Sequence, residues 1–213
     1  MFCPVLVLSL QIVPFAFVLR QSMPVIGRGM RRDIVNWALR PTSQTGASKM
    51  PKPIINIDEL EYSEFGKGDK FNAERAAVSD KIGAQKLGYA VVRLKPGKRA
   101  WPYHSHYVNE EMFFVLQGEG TLRHADEEYP IRAGDFICAP ADPKQPHQII
   151  NTSDSELSYI GLSSEDHTDV FLYPDSDKYG VWHGKTRNPS DPNSFLVFAR
   201  KGTAVDYWDG EAE

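Results

Sequence analysis

Residues 87–118 read LGYAVVRLKPGKRAWPYHSHYVNEEMFFVLQG, and residues 134–151 read GDFICAPADPKQPHQIIN. Both segments set short runs of β-branched and aromatic residues between glycine and proline turns, the punctuation of strands. LGYAVVRLK (87–95) stops at Pro96-Gly97, and EEMFFVLQG (110–118) stops at Gly118-Glu119-Gly120. Outward from these the rhythm continues through TLRHA (121–125), a polar ADEE turn, YPIR (129–132), the Ala133-Gly134-Asp135 turn, DFICAP (135–140), HQIIN (147–151) and LSYIGLS (157–163). No apolar stripe of 3.6-residue period crosses 87–163, so the expected class is all-β: a sandwich, jelly roll or barrel.

The flanks are less regular. Residues 54–86 are charged and mixed, and Gly66 and Gly68 predict loops there, while AERAAVSD (73–80) predicts a helical turn or two. Beyond the strands, DVFLYPDSDKYGVW (169–182) and SFLVFARK (194–201) enclose the polar loop NPSDPN (188–193) and read as arms packing on the same core.

Composition bounds the rest. The 213 residues carry 24 basic and 28 acidic side chains, a formal charge of −4, which excludes an electrostatic nucleic-acid binder. Two cysteines, Cys3 and Cys138, exclude a disulfide framework and a four-sulfur zinc site. Charge divides the chain near Met50: residues 1–50 hold six basic side chains against Asp33, a charge of +5 that leaves −9 for the remainder.

VLVLSLQIVPFAFVL (5–19) is apolar but shorter than the roughly 20 residues that span a bilayer, and it lacks the upstream basic residues of a secretory signal. We therefore expect residues 1–49 to be an extension, either disordered, non-native or a targeting segment. Residues 50–213 are expected to form one domain with its core barrel at about 84–175. The expected compartment is the cytoplasm, with a membrane involved only if the apolar segment is an anchor.

The chemistry gathers at three histidines. His104 and His106 sit two apart in an extended stretch, so both rings face one side. Glu110 and Glu111 follow, and His147 comes after DFICAP. Imidazoles with a carboxylate suit a divalent transition metal: iron, manganese, zinc, nickel or copper.

In these residues the chain resembles the cupin superfamily, and in particular its small single-domain bacterial members. One cupin motif runs glycine, spacer, HxH, Glu, six residues, Gly, matching Gly97, His104, His106, Glu111 and Gly118. The other runs from Gly134 through Pro140 to His147 and Asn151. The spacer before His104 is one residue longer than usual, and Asp142 with a four-residue gap stands where the family has glycine and a gap of two. The resemblance implies a double-stranded β-helix, or jelly-roll barrel, with short flanking arms. It also implies one metal per chain on His104, His106, Glu111 and His147, and a homodimer.

Such a site leaves positions open for a substrate. The expected function is a metal-dependent enzyme of oxygenase or decarboxylase type acting on a small organic molecule. The alternatives are a non-catalytic binding or sensor protein and a zinc-dependent sugar isomerase. Phe113 and Val115 share the inward face with Glu111, and with Tyr103 and Gln148 they are the expected pocket residues; the catalytic residues are left unassigned. Arg93, Tyr89 and Tyr159 are further polar candidates. Cys138 reads as a buried inert thiol and His124 as solvated near a hairpin turn, while His167 and His183 fall outside both motifs, with capping of the barrel mouth by His183, beside Trp182, the minor alternative.

Overall fold

The computed structural model describes residues 51–184 and 191–211. The expectations for residues 1–49, and half of the loop 188–193, lie outside the described residues. Among those described, no helix is long and apolar enough to cross a membrane.

The regular elements of the described residues are almost all strands. In order they are β1 (Ser63–Lys67), β2 (Phe71–Ala77), β3 (Leu87–Leu94), β4 (Ser105–His106), β5 (Glu111–Gln117), β6 (Glu119–His124) and β7 (Glu127–Arg132). They continue with β8 (Phe136–Ala139), β9 (His147–Ile150), β10 (Leu157–Ser164), β11 (Thr168–Tyr173), β12 (Lys178–His183) and β13 (Phe195–Arg200). One short helix, α1 (Ser79–Ile82), separates β2 from β3.

Antiparallel pairing builds a six-stranded sheet in the order β1-β2-β3-β10-β5-β8, a four-stranded sheet β13-β12-β11-β4 and a three-stranded sheet β7-β6-β9. The backbones of His104 and His147 form an isolated bridge that links β9 to the start of β4, joining the two smaller sheets. This is the all-β jelly-roll architecture.

The core forms where inward residues of the sheets meet. Val92, Leu94, Phe113, Val115, Leu157 and Tyr159 from the large sheet pack with Leu122, Ile131 and Ile149 from the three-stranded one. Alternation produces this: in β5 Phe113 and Val115 are buried, while Met112 and Phe114 on the other face are only partly so. Pro130 lies in β7, an edge strand, where its missing donor breaks no ladder. Ala125 and Asp126 join β6 to β7 with φ of 47° and 69°, the two left-handed residues of a tight hairpin, so Glu127 and Glu128 belong to the strand.

Three expectations are corrected here. Residues 63–77 form a hairpin, β1 and β2, and most of AERAAVSD is strand; α1 keeps only one turn. Ala73 and Ala76 are buried there, and pairing with β3 overrides alanine's helical preference. Cys138 is exposed, because Ile137 and Ala139 take the inner face of β8 and a one-residue step turns the thiol outward. His124 is partly buried, with its Nε2 shielded from solvent, because it pairs across the β6–β9 ladder with His147.

Candidate metal centre

Three imidazole nitrogens approach one carboxylate oxygen. Nε2 of His147, His106 and His104 lie 2.9, 3.6 and 3.9 Å from Oε2 of Glu111. His104, His106 and Glu111 offer donor atoms all within 4.8 Å of one another, a spacing that one cation can span. His147 stands outside that mutual group and joins it through its hydrogen bond to Glu111.

Short elements hold these side chains in place. β4 is two residues long, and its alternation turns Ser105 away from His106; Ser105 Oγ donates to the carbonyl of Pro143 at 3.1 Å. His104 and His147 exchange backbone hydrogen bonds of 3.2 and 2.7 Å, which puts their rings side by side, with centroids 4.6 Å apart. Glu111 is the first residue of β5, while Glu110 is exposed.

The long turn before His147 is built around Asp142. Its Oδ1 accepts from Lys144 N at 2.8 Å and its Oδ2 from Gln145 Nε2 at 3.0 Å, so side-chain hydrogen bonds order a turn that lacks the expected glycine. At the end of the motif, buried Asn151 donates to the carbonyls of Leu94 and Ser155 at 2.8 and 2.7 Å and latches β9 to its neighbours.

The protonation states favour cation binding. Burial, reinforced by His147, lowers the His104 pKa to about 3, so its ring is neutral at pH 7. Burial alone would raise Glu111, but the hydrogen bond from His147 and the neighbouring His106 and His104 outweigh it and bring the carboxyl to about 2. The carboxylate is therefore ionised.

The carbonyl of Pro102, 2.8 Å from His104 Nδ1, only accepts, so the proton sits on Nδ1 and the lone pair on Nε2. His106 Nδ1 lies 2.6 Å from Asp169 Oδ2. Its Nε2 is buried and has no hydrogen-bond partner among the described residues. An unpaired buried nitrogen is costly, and a cation would relieve it. The donor set, three nitrogens and one anionic oxygen with no sulfur, thus fits a divalent first-row transition metal.

His147 differs from the other two. It donates from Nε2 to the ionised Glu111, and its Nδ1 is buried with no partner among the described residues.

Above the cluster lies a cavity of about 300 Å³. Phe113 and Gln148 line it; Tyr103 and Val115 do not. Val115 faces inward but sits fully buried in the core. Tyr103 is buried under the guanidinium of Arg123, 4.1 Å above its ring, and its hydroxyl accepts from Asp126 N. Gln148 is fixed at both ends of its amide, donating to the Trp101 carbonyl at 2.7 Å and accepting from Arg123 at 3.2 Å. Tyr89, Trp101 and Tyr159 also line the cavity, whereas Arg93 is spent over the ring of Tyr62 at 3.8 Å. Burial raises the Tyr159 hydroxyl far above its ordinary range, so it stays protonated.

The C-terminal arms roof the site. Phe171 meets His106 edge-on, with centroids 5.7 Å apart, and Tyr173 stacks on His104 at 6.0 Å. Trp182 of β12 and Leu196 and Phe198 of β13 complete the lining. His183 is exposed and bonds Thr168 at 2.7 Å; its neighbour Trp182 takes the place at the mouth, because the two alternate on β12.

Sequence reasoning missed Asp169, Arg75 and this roof. Arg75 pairs directly with the buried Val92, so it stands on the inner face of β2 and lines the cavity. The one available signal was an acid opening the apolar run DVFLY.

Residues 90–163 match the family model described as Cupin domain. The chain is similar to an oxalate-binding protein of Thermotoga maritima, 31% identical over 74 residues, covering 35% of this chain and 59% of the relative. It is also similar to auxin-binding protein 1 of Arabidopsis thaliana, 29% identical over 133 residues, covering 58% and 65%. The chain spans 53%, 65% and 59% of the length of three of the curated relatives it matches. In fold it resembles the crystal structure of a sugar phosphate isomerase of the cupin superfamily from Silicibacter pomeroyi, with a TM-score of 0.60 and 23% identity over 73% of this chain and 98% of that one.

Proposed function

Residues 90–163 carry a cupin domain, and from that premise we propose that the chain is a metal-dependent enzyme, of oxygenase or decarboxylase type, acting on a small organic acid. The observation that carries this reading is the convergence of His104, His106 and His147 on Glu111 at a roomy, largely aromatic cavity. His104, His106, Glu111 and His147 would hold one divalent iron, manganese, zinc, nickel or copper ion. Such an ion, when bound, supplies a Lewis-acidic centre for a substrate oxygen.

The chain's own residues do the rest. Arg75 is the one lysine or arginine in the lining among the described residues; it already has a partner within the protein, and its planar five-donor fork can take a substrate carboxylate as well. Trp101, Phe113, Phe171 and Tyr173 surround the substrate body and exclude water, which strengthens each polar contact inside. Gln148, held at both ends, offers a fixed dipole at the wall.

Two other readings follow from the comparisons. A binding protein without turnover is favoured by the two relatives, which are an oxalate-binding and an auxin-binding protein. A sugar phosphate isomerase is less well supported, because a phosphate would find one cation in the lining. The enzyme reading extends to a cytoplasmic homodimer, whose contact area the exposed Phe136 and its cross-strand neighbour Phe114 would supply on the outer face.

Metal analysis and reconstitution come first, followed by oxygen uptake and carbon dioxide release with keto acids, diketones and catechols; sedimentation of the same samples reports the dimer. We expect a stoichiometric metal, and Arg75→Gln to raise KM about 10-fold or more for carboxylates while leaving neutral diketones unchanged. Metal-loaded protein that binds panel members without turning them over would establish the binding protein instead. Failure to take up any metal would remove the enzyme reading.

A further inference from the structure

Asp169 lies beyond residues 90–163, the span matched by the family model, yet it touches the cluster. It is fully buried on β11, the strand that pairs with β4 through Phe171 opposite His106. One carboxylate oxygen, Oδ2, stands 2.6 Å from His106 Nδ1. The other, Oδ1, accepts two backbone hydrogen bonds, from Val108 N at 3.1 Å and Val170 N at 2.8 Å. The carboxylate therefore cannot rotate without breaking two hydrogen bonds in a buried site, where each is expensive to lose.

We infer that Asp169 is a positioning residue that holds the His106 proton on Nδ1 and presents the Nε2 lone pair to a cation. An ionised carboxylate only accepts, so the ring nitrogen facing it must donate. That leaves Nε2 bare, buried and unpaired, 3.6 Å from Glu111. The arrangement orients the ring and raises its basicity, as a partner behind a ligating histidine does. Pro102 does the same for His104 with a neutral carbonyl, so Asp169 makes His106 the more strongly supported of the two. His147 has no such partner among the described residues.

The inference rests on the metal reading, and Asp169→Asn tests it. The two backbone donors keep the amide oxygen in the Oδ1 position, which turns the amide NH2 toward His106. Nδ1 must then accept, and the ring proton moves to Nε2, where it faces the cluster. Nitrogen NMR of the histidine rings in metal-free protein should show His106 protonated on Nδ1 in the wild type and on Nε2 in the variant. Zinc and cobalt(II) affinities should fall 10- to 100-fold in the variant, with little change in far-ultraviolet circular dichroism. A metal-free wild type with the His106 proton on Nε2 overturns the inference, and this result does not depend on the variant folding. A folded variant with unchanged affinity overturns it as well. A wild type that binds neither ion, yet carries the proton on Nδ1, overturns the metal reading and the presentation to a cation while leaving the tautomer assignment in place.

Discussion

Replacing His106 by alanine is expected to weaken zinc binding by about 100-fold or more, and His147→Ala to weaken it by a smaller factor, on the order of 10-fold. The asymmetry follows from what stands behind each ring. His106 is locked by Asp169 with its Nε2 buried and unpaired, so it meets a cation without giving anything up. His147 spends its Nε2 proton on Glu111. To ligate through that atom it must break the hydrogen bond and move the proton to Nδ1, which is buried with no acceptor among the described residues. Competition with a chelator, read for both variants and the wild type, checks the order. Equal losses, or a larger loss at His147, would show that the supporting partners do not set ligand strength here.

Gly118→Ala is expected to cost the fold about 3 kcal/mol or more, against about 1–2 kcal/mol for Gly97→Ala or Gly134→Ala. All three glycines belong to the cupin motifs and all three have positive φ, of 82°, 76° and 95° respectively. They differ in surroundings. A Cβ at Gly118 would stand 2.3 Å from the carbonyl oxygen of Glu156, a backbone atom that cannot swing aside. At Gly97 and Gly134 nothing lies within 4 Å, so only the conformational preference is lost. Urea melts of metal-free protein separate the two classes, and similar midpoints for all three variants would contradict the packing argument.

The difference among these glycines marks how far sequence reaches. Spacing identified all three as special, but which one is pressed against a neighbouring strand depends on how the turn after β5 meets the approach to β10. The strands between 87 and 163 were legible because a period of two and glycine or proline turns are local signals. The hairpin at 63–77 was not, since its alanines become strand residues only by pairing with β3. Cys138 misled for a related reason: FICA is apolar on both faces, so alternation could not say which face was inner.

At the site, the sequence by itself determined that His104, His106, Glu111 and His147 belong together, because their residue types and spacings match two motifs of one known barrel. It also determined the all-β class. Only the tertiary structure decided what surrounds them: Asp169, 63 positions from His106, Arg75 on β2, the aromatic roof of β11 to β13, and the exclusion of Tyr103 and Val115 from the cavity. The physical reason is range. A strand's periodicity sets which way a side chain points, but its partner is set by sheet order, and here β11 comes beside β4, and β2 beside β3, through pairings that no local pattern encodes.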